Sequence, residues 1–228
     1  MSLRVAFDVD GVLADFTTAY REAEARLFGP VKTETAGQCE DEGGPCASAD
    51  SARRDVRHTN RKRAAVWEAI RSTPDFWVGL QPIDPNAVRQ LYTLMLEHRW
   101  EVFFLTQRLE TLGDTVQRQT QRWLHEQGFD MPSVIVTSGS RGASVGPLCL
   151  HYYVGDSATN CVDLASNSRA HSILVVSDED ETTLANTRRM GIGTARNIEA
   201  ALVILDSASA AQSQPHVLQH LARLVGWK

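Results

Sequence analysis

The sequence predicts an α/β protein: a Rossmann-like parallel sheet with helices on both faces, interrupted after its first strand by a small helical domain. Three observations predict it. Leu3 to Val9 is short, apolar and β-branched, and it breaks at Asp8-Val9-Asp10-Gly11, as a buried strand ending in a loop does. From Glu101 onward, short apolar runs alternate with segments of helical period. Between these regions lie roughly eighty residues of mostly helical pattern, where an ordinary crossover needs about a dozen.

The elements follow in order. A helix is expected from about Asp15 to Phe28, stopped by Gly29-Pro30. Lys32 to Asp50 is Gly, Glu, Ser and Cys without periodicity, which predicts a loop. Asp50 or Ser51 can cap a helix reaching Arg71, with Ala64, Trp67 and Ile70 crowding its C-terminal half. Pro85 opens a further helix carrying Val88, Leu91, Tyr92, Met95 and Leu96 on one side. Strands are then expected at Glu101 to Leu105, Val134 to Val136, His151 to Val154 and Ser172 to Val176. Helices are expected between and after them, at Thr111 to Gln127, Thr159 to Ser166 and Glu181 to Met190. Two last helices, Ile198 to Leu205 and His216 to Val225, are expected to flank a low-complexity linker, Ser207 to Gln214. The domain expectation is therefore a core of residues 1–16 and 101–228 and a helical insertion of residues 17–100.

Composition excludes several classes. The 228 residues are 43% hydrophobic, enough for a large core without staples. With 23 basic against 28 acidic residues, the net charge of -5 gives no general reason to expect nucleic acid or an anionic membrane as partner. The longest apolar runs, such as Ala200 to Leu205, fall far short of a membrane span. No signal-peptide pattern is visible, and Cys39, Cys46, Cys149 and Cys161 match no zinc spacing, so the expected compartment is the cytoplasm with free thiols.

Ligands of open α/β sheets bind beyond the carboxyl ends of the strands. The expected strand ends carry Asp8-Val9-Asp10-Gly11, Thr106-Gln107-Arg108 and Gly155-Asp156-Ser157, with Arg141 in the loop after the third strand. Clustered carboxylates repel unless a cation joins them, and Mg²⁺ is the usual hard ion where carboxylates meet a phosphate. A hydroxyl and a guanidinium beside them are donors to phosphate oxygens. Phosphoryl transfer to a carboxylate, followed by hydrolysis, uses all of these groups.

These residues resemble the motifs of the haloacid dehalogenase-like (HAD) superfamily. Asp8-Val9-Asp10-Gly11-Val12-Leu13 is similar to motif I, Phe103-Phe104-Leu105-Thr106 to motif II, and Tyr153-Val154-Gly155-Asp156 to motif IV. Arg141-Gly142 stands where the motif III Lys is expected, and the insertion lies where the superfamily places a helical C1 cap. Phe76-Trp77-Val78-Gly79-Leu80-Gln81-Pro82 and the pair Asp156 and Asn160 resemble the 5'(3')-deoxyribonucleotidase-like branch. Arg141 in place of Lys keeps the charge and changes the geometry.

The resemblance implies an HAD core and a Mg²⁺-dependent phosphomonoesterase, with a nucleoside 5'-monophosphate as candidate substrate. Asp8 would be the nucleophile and Asp10 the general acid and base. Mg²⁺ would be held by Asp8, Asp156 and the Asp10 carbonyl. Thr106, Gln107 and Arg141 would hold the phosphoryl oxygens, and Phe76, Trp77 and Arg61 in the cap would meet the substrate. The alternatives are a non-nucleotide phosphatase or phosphomutase of the same type, and a catalytically silent binding module. Retention of Asp8, Asp10, Thr106 and Asp156 together argues against the last. In the basic run from Arg53 to Arg63, solvated charge competes with a role facing carboxylates or a phosphate.

Overall fold

The computed structural model describes residues 2–29, 49–176 and 181–213. In chain order the elements are β1 (Arg4–Asp8), α1 (Phe16–Phe28), α2 (Ala49–Arg71), a 3-10 turn at Phe76–Gly79, α3 (Pro85–Glu97), β2 (Glu101–Thr106), α4 (Val116–Glu126) and β3 (Ser133–Val136). They continue with α5 (Arg141–Val145), a 3-10 turn at Gly146–Leu148, β4 (Tyr152–Gly155), α6 (Ala158–Asn167), β5 (His171–Val175), α7 (Glu181–Arg189), β6 (Gly193–Ala195) and α8 (Ile198–Ser213).

The six strands form one sheet in the order β3-β2-β1-β4-β5-β6, and every adjacent pair is parallel. This is the expected α/β class. β1 lies inside the sheet, with Phe7 opposite Phe104 on one side and Val154 on the other. Its side chains alternate between two separate apolar layers, as a strand covered on both faces requires. Val5 and Phe7 enter the layer that holds Ala87, Val88 and Leu91 of α3, Trp123 of α4 and Ala201 and Leu202 of α8. Ala6 enters the other, with Leu105, Tyr153, Leu174, Val145 of α5 and Cys161 and Leu164 of α6. The chain order reverses at β1, between its neighbours β2 and β4, which opens the crevice where open α/β sheets take ligands.

Polar caps fix where helices start. Asp15 accepts from Thr18 N at the head of α1, and Asp84 accepts from Asn86 N and Ala87 N ahead of Pro85 in α3. Thr115 caps α4, so this helix begins at Val116 instead of the expected Thr111. The chain enters and leaves the insertion through two adjoining segments. Asp15 N donates to Gln81 O and Ile83 N to Leu13 O, both at 2.8 Å, around an antiparallel bridge of Ala14 with Pro82. Beyond this crossing stands the hairpin of α1 and α2, whose Ala23, Val66 and Ile70 belong to the same buried cluster as Ala87, Val88 and Leu91 of α3.

Three expectations need correction. β6 is a strand of three residues, too short for a periodic signal. α8 runs unbroken to Ser213 through the segment expected as a linker, because its alanines are strong helix formers, and the bond of Ser207 Oγ back to Val203 O does not interrupt it. Arg141, expected in a loop, is the first residue of α5. Most of the expected Lys32-to-Asp50 loop, the expected His216-to-Val225 helix, Cys39, Cys46 and the side chains of Arg53, Arg54 and Arg57 lie outside the described residues. Cys149 and Cys161 are free thiols, and among the described residues no helix is long and apolar enough to cross a membrane.

Candidate active site

Asp8 is the last residue of β1 and only 1% exposed. The phenol of Tyr153, two residues before the end of β4, donates to its Oδ2 at 2.6 Å. Arg141 Nη1 stands 2.8 Å from its Oδ1, an ion contact without hydrogen-bond alignment. Burial pushes the Asp8 carboxyl up to about 7. Arg141 and the Tyr153 hydrogen bond oppose that rise, while Asp156 and Asp10 add to it.

Asp156 follows β4 and reaches the same place. Gly11 has φ +76°, and a Cβ there would overlap Asp156 Oδ2, so the turn after β1 takes glycine both for its backbone and for this close approach. Asp156 faces solvent at the mouth, yet the protein packed around its carboxyl raises its pKa, chiefly by desolvation. Cys161 lies behind the site, its thiol pushed up to about 12 by burial first and by Asp8 next. Such a thiol stays protonated and unreactive.

Asp10 turns away from Asp8 towards β2. Thr106 Oγ1 donates to its Oδ2 at 3.2 Å. Arg108 Nε lies 3.0 Å from both Asp10 oxygens, and Arg108 Nη2 is 2.8 Å from Oδ1. Arg141 is positioned from α6: Asp163 accepts from Ser140 Oγ and, at 2.9 Å, from Gly142 N, which pins both sides of Arg141. The Gly142 N–H bond, with those from Ser140 and Asn167, holds the Asp163 carboxyl low.

The structure therefore brings Asp8, Asp10, Thr106, Arg141 and Asp156 to one crevice, with Gln107 exposed at the end of β2. The cap residues fall differently. Trp77 is 1% exposed, its Nε1 donating to Leu109 O at 2.9 Å and its backbone N to Gln119 Oε1. The Arg108 guanidinium lies 4.9 Å from its ring centroid, and Phe16 and Phe76 pack at 5.6 and 5.1 Å. Trp77 is thus a core residue behind Asp10 and offers no open face as a substrate platform, a correction of the expectation. Phe76 is half-buried at its edge, and Arg61 is exposed on α2. Phe16, Tyr20 and Trp67 line a groove of about 400 Å³ between α1 and α2, with Arg21, Glu24 and Arg63 at its sides. Phe16 and Trp67 stack there at 5.5 Å and 22°.

Sequence reasoning named Arg108 only as a strand-end residue and Tyr153 only as a motif residue, and gave neither a role. Their signal was an ionisable residue within or beside an apolar strand. A hard cation fits the donor set. Asp8 Oδ1 is buried without a hydrogen-bond partner, and Asp156 and Asp8 repel one another across the turn. Among the described residues no three Asp, Glu, His or Cys side chains form a metal cage, and the Asp10 carboxylate is paired with Arg108. Two carboxylates and a backbone carbonyl are the kind of set Mg²⁺ takes when waters and a phosphate complete its shell.

Neither a family model nor a curated protein matches the sequence. Solved structures do match the fold. A hydrolase from Pseudomonas syringae superposes with a TM-score of 0.51 at 14% identity, covering 91% of this chain and 99% of that one. An HAD family hydrolase from Deinococcus radiodurans, solved with bound phosphate and sodium, gives 0.50 at 14% identity, covering 92% and 96%. The fold is that of HAD hydrolases. At such identity the likeness speaks for architecture alone.

Proposed function

We propose that the protein is a Mg²⁺-dependent phosphomonoesterase that works through an aspartyl phosphate on Asp8. The observation that carries this reading is the buried Asp8 carboxylate at the end of β1, set between Arg141 and Tyr153, with Asp10 two residues further along and Asp156 across the turn. An exposed Asp at a turn needs no such surroundings.

In the proposed reaction an Asp8 oxygen attacks phosphorus and the bond to the ester oxygen breaks. Asp10 gives the departing alcohol its proton, then takes one from the water that attacks the aspartyl phosphate, which returns Asp8 and inorganic phosphate. Arg141, Thr106 and Gln107 are assigned to the phosphoryl oxygens. Asp8, Asp156 and the Asp10 carbonyl would hold Mg²⁺, whose charge would offset that of carboxylates and phosphate.

The hairpin of α1 and α2, entered and left at the Ala14–Pro82 bridge, is proposed as the cap. Its aromatic groove supports a planar leaving group, a nucleoside 5'-monophosphate fitting better than a small phospho-acid. Arg63 is assigned to its side. The test is a panel of nucleotides, sugar phosphates and small phospho-acids, assayed with Mg²⁺ and with EDTA. Mg²⁺-dependent release of phosphate, fastest from nucleotides, is expected. Release from no ester, or undiminished release in chelator, would overturn the reading.

A further inference from the structure

Arg108 has no part in the reaction as described, yet its side chain is only 1% exposed while the Asp10 side chain it grips is 28% exposed. A buried guanidinium is costly unless its donors are matched, and these are. Nε and Nη2 close a fork on Asp10, and Nη1 donates to Thr120 Oγ1 at 2.8 Å. Thr120 Oγ1 donates to Val116 O at 2.8 Å, which leaves its oxygen free to accept from Arg108. The Arg108 Cζ lies over the Trp77 ring, 4.9 Å from its centroid. Trp77 is fixed in turn by Leu109 O and by Gln119, whose Nε2 donates to Thr111 Oγ1 and Asp114 O.

We propose that Arg108 is a positioning residue for Asp10, seated by Trp77 of the segment returning from the insertion and by Thr120 of α4. The inference rests on the reading of Asp10 as general acid and base. Such a fork fixes the plane of a carboxylate as well as its place. With Thr106 Oγ1 also on Oδ2, the Asp10 carboxylate is held by donors from β2 and the residue two beyond it. Arg108 Nε and Nη2 are engaged by Asp10 and Nη1 by Thr120, so it acts through Asp10. Trp77 ties this arrangement to the insertion: displacing the 3-10 turn would unseat Arg108 and loosen the acid–base group.

The leaving group separates this role from simple packing. An alkyl phosphate needs its departing oxygen protonated, whereas p-nitrophenyl phosphate does not. Arg108→Lys keeps the charge and loses the fork. Its kcat/KM should fall about 100-fold for an alkyl phosphate and less than about 10-fold for p-nitrophenyl phosphate, the same skew as Asp10→Asn. Combined with Asp10→Asn it should add little to the loss from that variant alone. Equal losses on both esters in a variant with wild-type circular dichroism, or losses that multiply in the double variant, would overturn the proposal. Should Arg108→Lys not fold, Trp77→Phe, which keeps a ring under the guanidinium but loses the Leu109 bond, is read on the same two esters. A skew of the same sign is expected, and none overturns the proposal. If the wild type hydrolyses neither ester, or Asp8→Asn hydrolyses both at wild-type rates, the phosphatase reading itself has failed. Equal losses with Asp8→Asn inactive mean that only the role of Arg108 has.

Discussion

The hydroxyl of Tyr153 and Oδ2 of Asp8, 145 residues apart in sequence, meet at 2.6 Å in the buried layer between β1, β4 and α6. Burial and the Asp8 charge both raise the phenol's pKa, so Tyr153 stays protonated and is a permanent donor. With Arg141 at the other oxygen, the two carboxylate oxygens become inequivalent. Tyr153→Phe removes a hydrogen bond to a charged group, worth about 1.5–3 kcal/mol. The variant should fold, with kcat lowered roughly tenfold and KM changed little. Steady-state kinetics check this, and an unchanged kcat would mean that the phenol only packs.

Asp8→Asn removes the proposed nucleophile while keeping shape and hydrogen bonding. Turnover of every phosphate ester should vanish while circular dichroism stays that of the wild type. Near-normal rates would sink the covalent mechanism.

Stability should depend on pH and Mg²⁺ together. Folding raises the Asp8 pKa from 3.8 to about 7, so the folded state holds this proton more tightly than the unfolded chain. Below about pH 4 both states are protonated and the contribution of the group is complete; it is lost as pH rises through about 7. The loss is at most roughly 4 kcal/mol. Asp15, Asp75 and Asp163 are shifted down, so what they contribute is present above 3.8 and lost at more acid pH, a separate window. A cation at Asp8 replaces the missing proton. Mg²⁺ should therefore raise Tm clearly at pH 8 and hardly at pH 5, read by thermal melts against EDTA. Equal gains at both pH values would count against Asp8 as a ligand.

Trp77 and Trp67 should behave differently. Trp77→Ala empties a site closed on all sides and should cost about 3–5 kcal/mol in denaturant unfolding. Trp67 is half-buried in the groove, and Trp67→Ala should raise KM for a nucleotide several-fold more than for p-nitrophenyl phosphate. Equal effects on the two esters would reduce the groove to packing.

The sequence alone determined the α/β class and the parallel sheet, because each of β1, β2, β4 and β5 is an apolar run bounded by polar turns and its period is local. It also marked Asp8, Asp10, Thr106 and Asp156, since a residue at a strand end is recognisable from its own neighbours, and Arg141 through the motif it resembles. Tertiary structure decided which charges meet. Arg108 and Asp10 lie 98 residues apart, and Arg108 reads in sequence as one more polar residue after a strand until the β1–β2 register sets it against Asp10. The same packing turned Trp77 from a candidate platform into the wall behind Arg108 and drew α3 into the core layer. Periodicity reports which face of an element is apolar. What that face is buried against is fixed only when the sheet order and the return of the chain bring distant segments together.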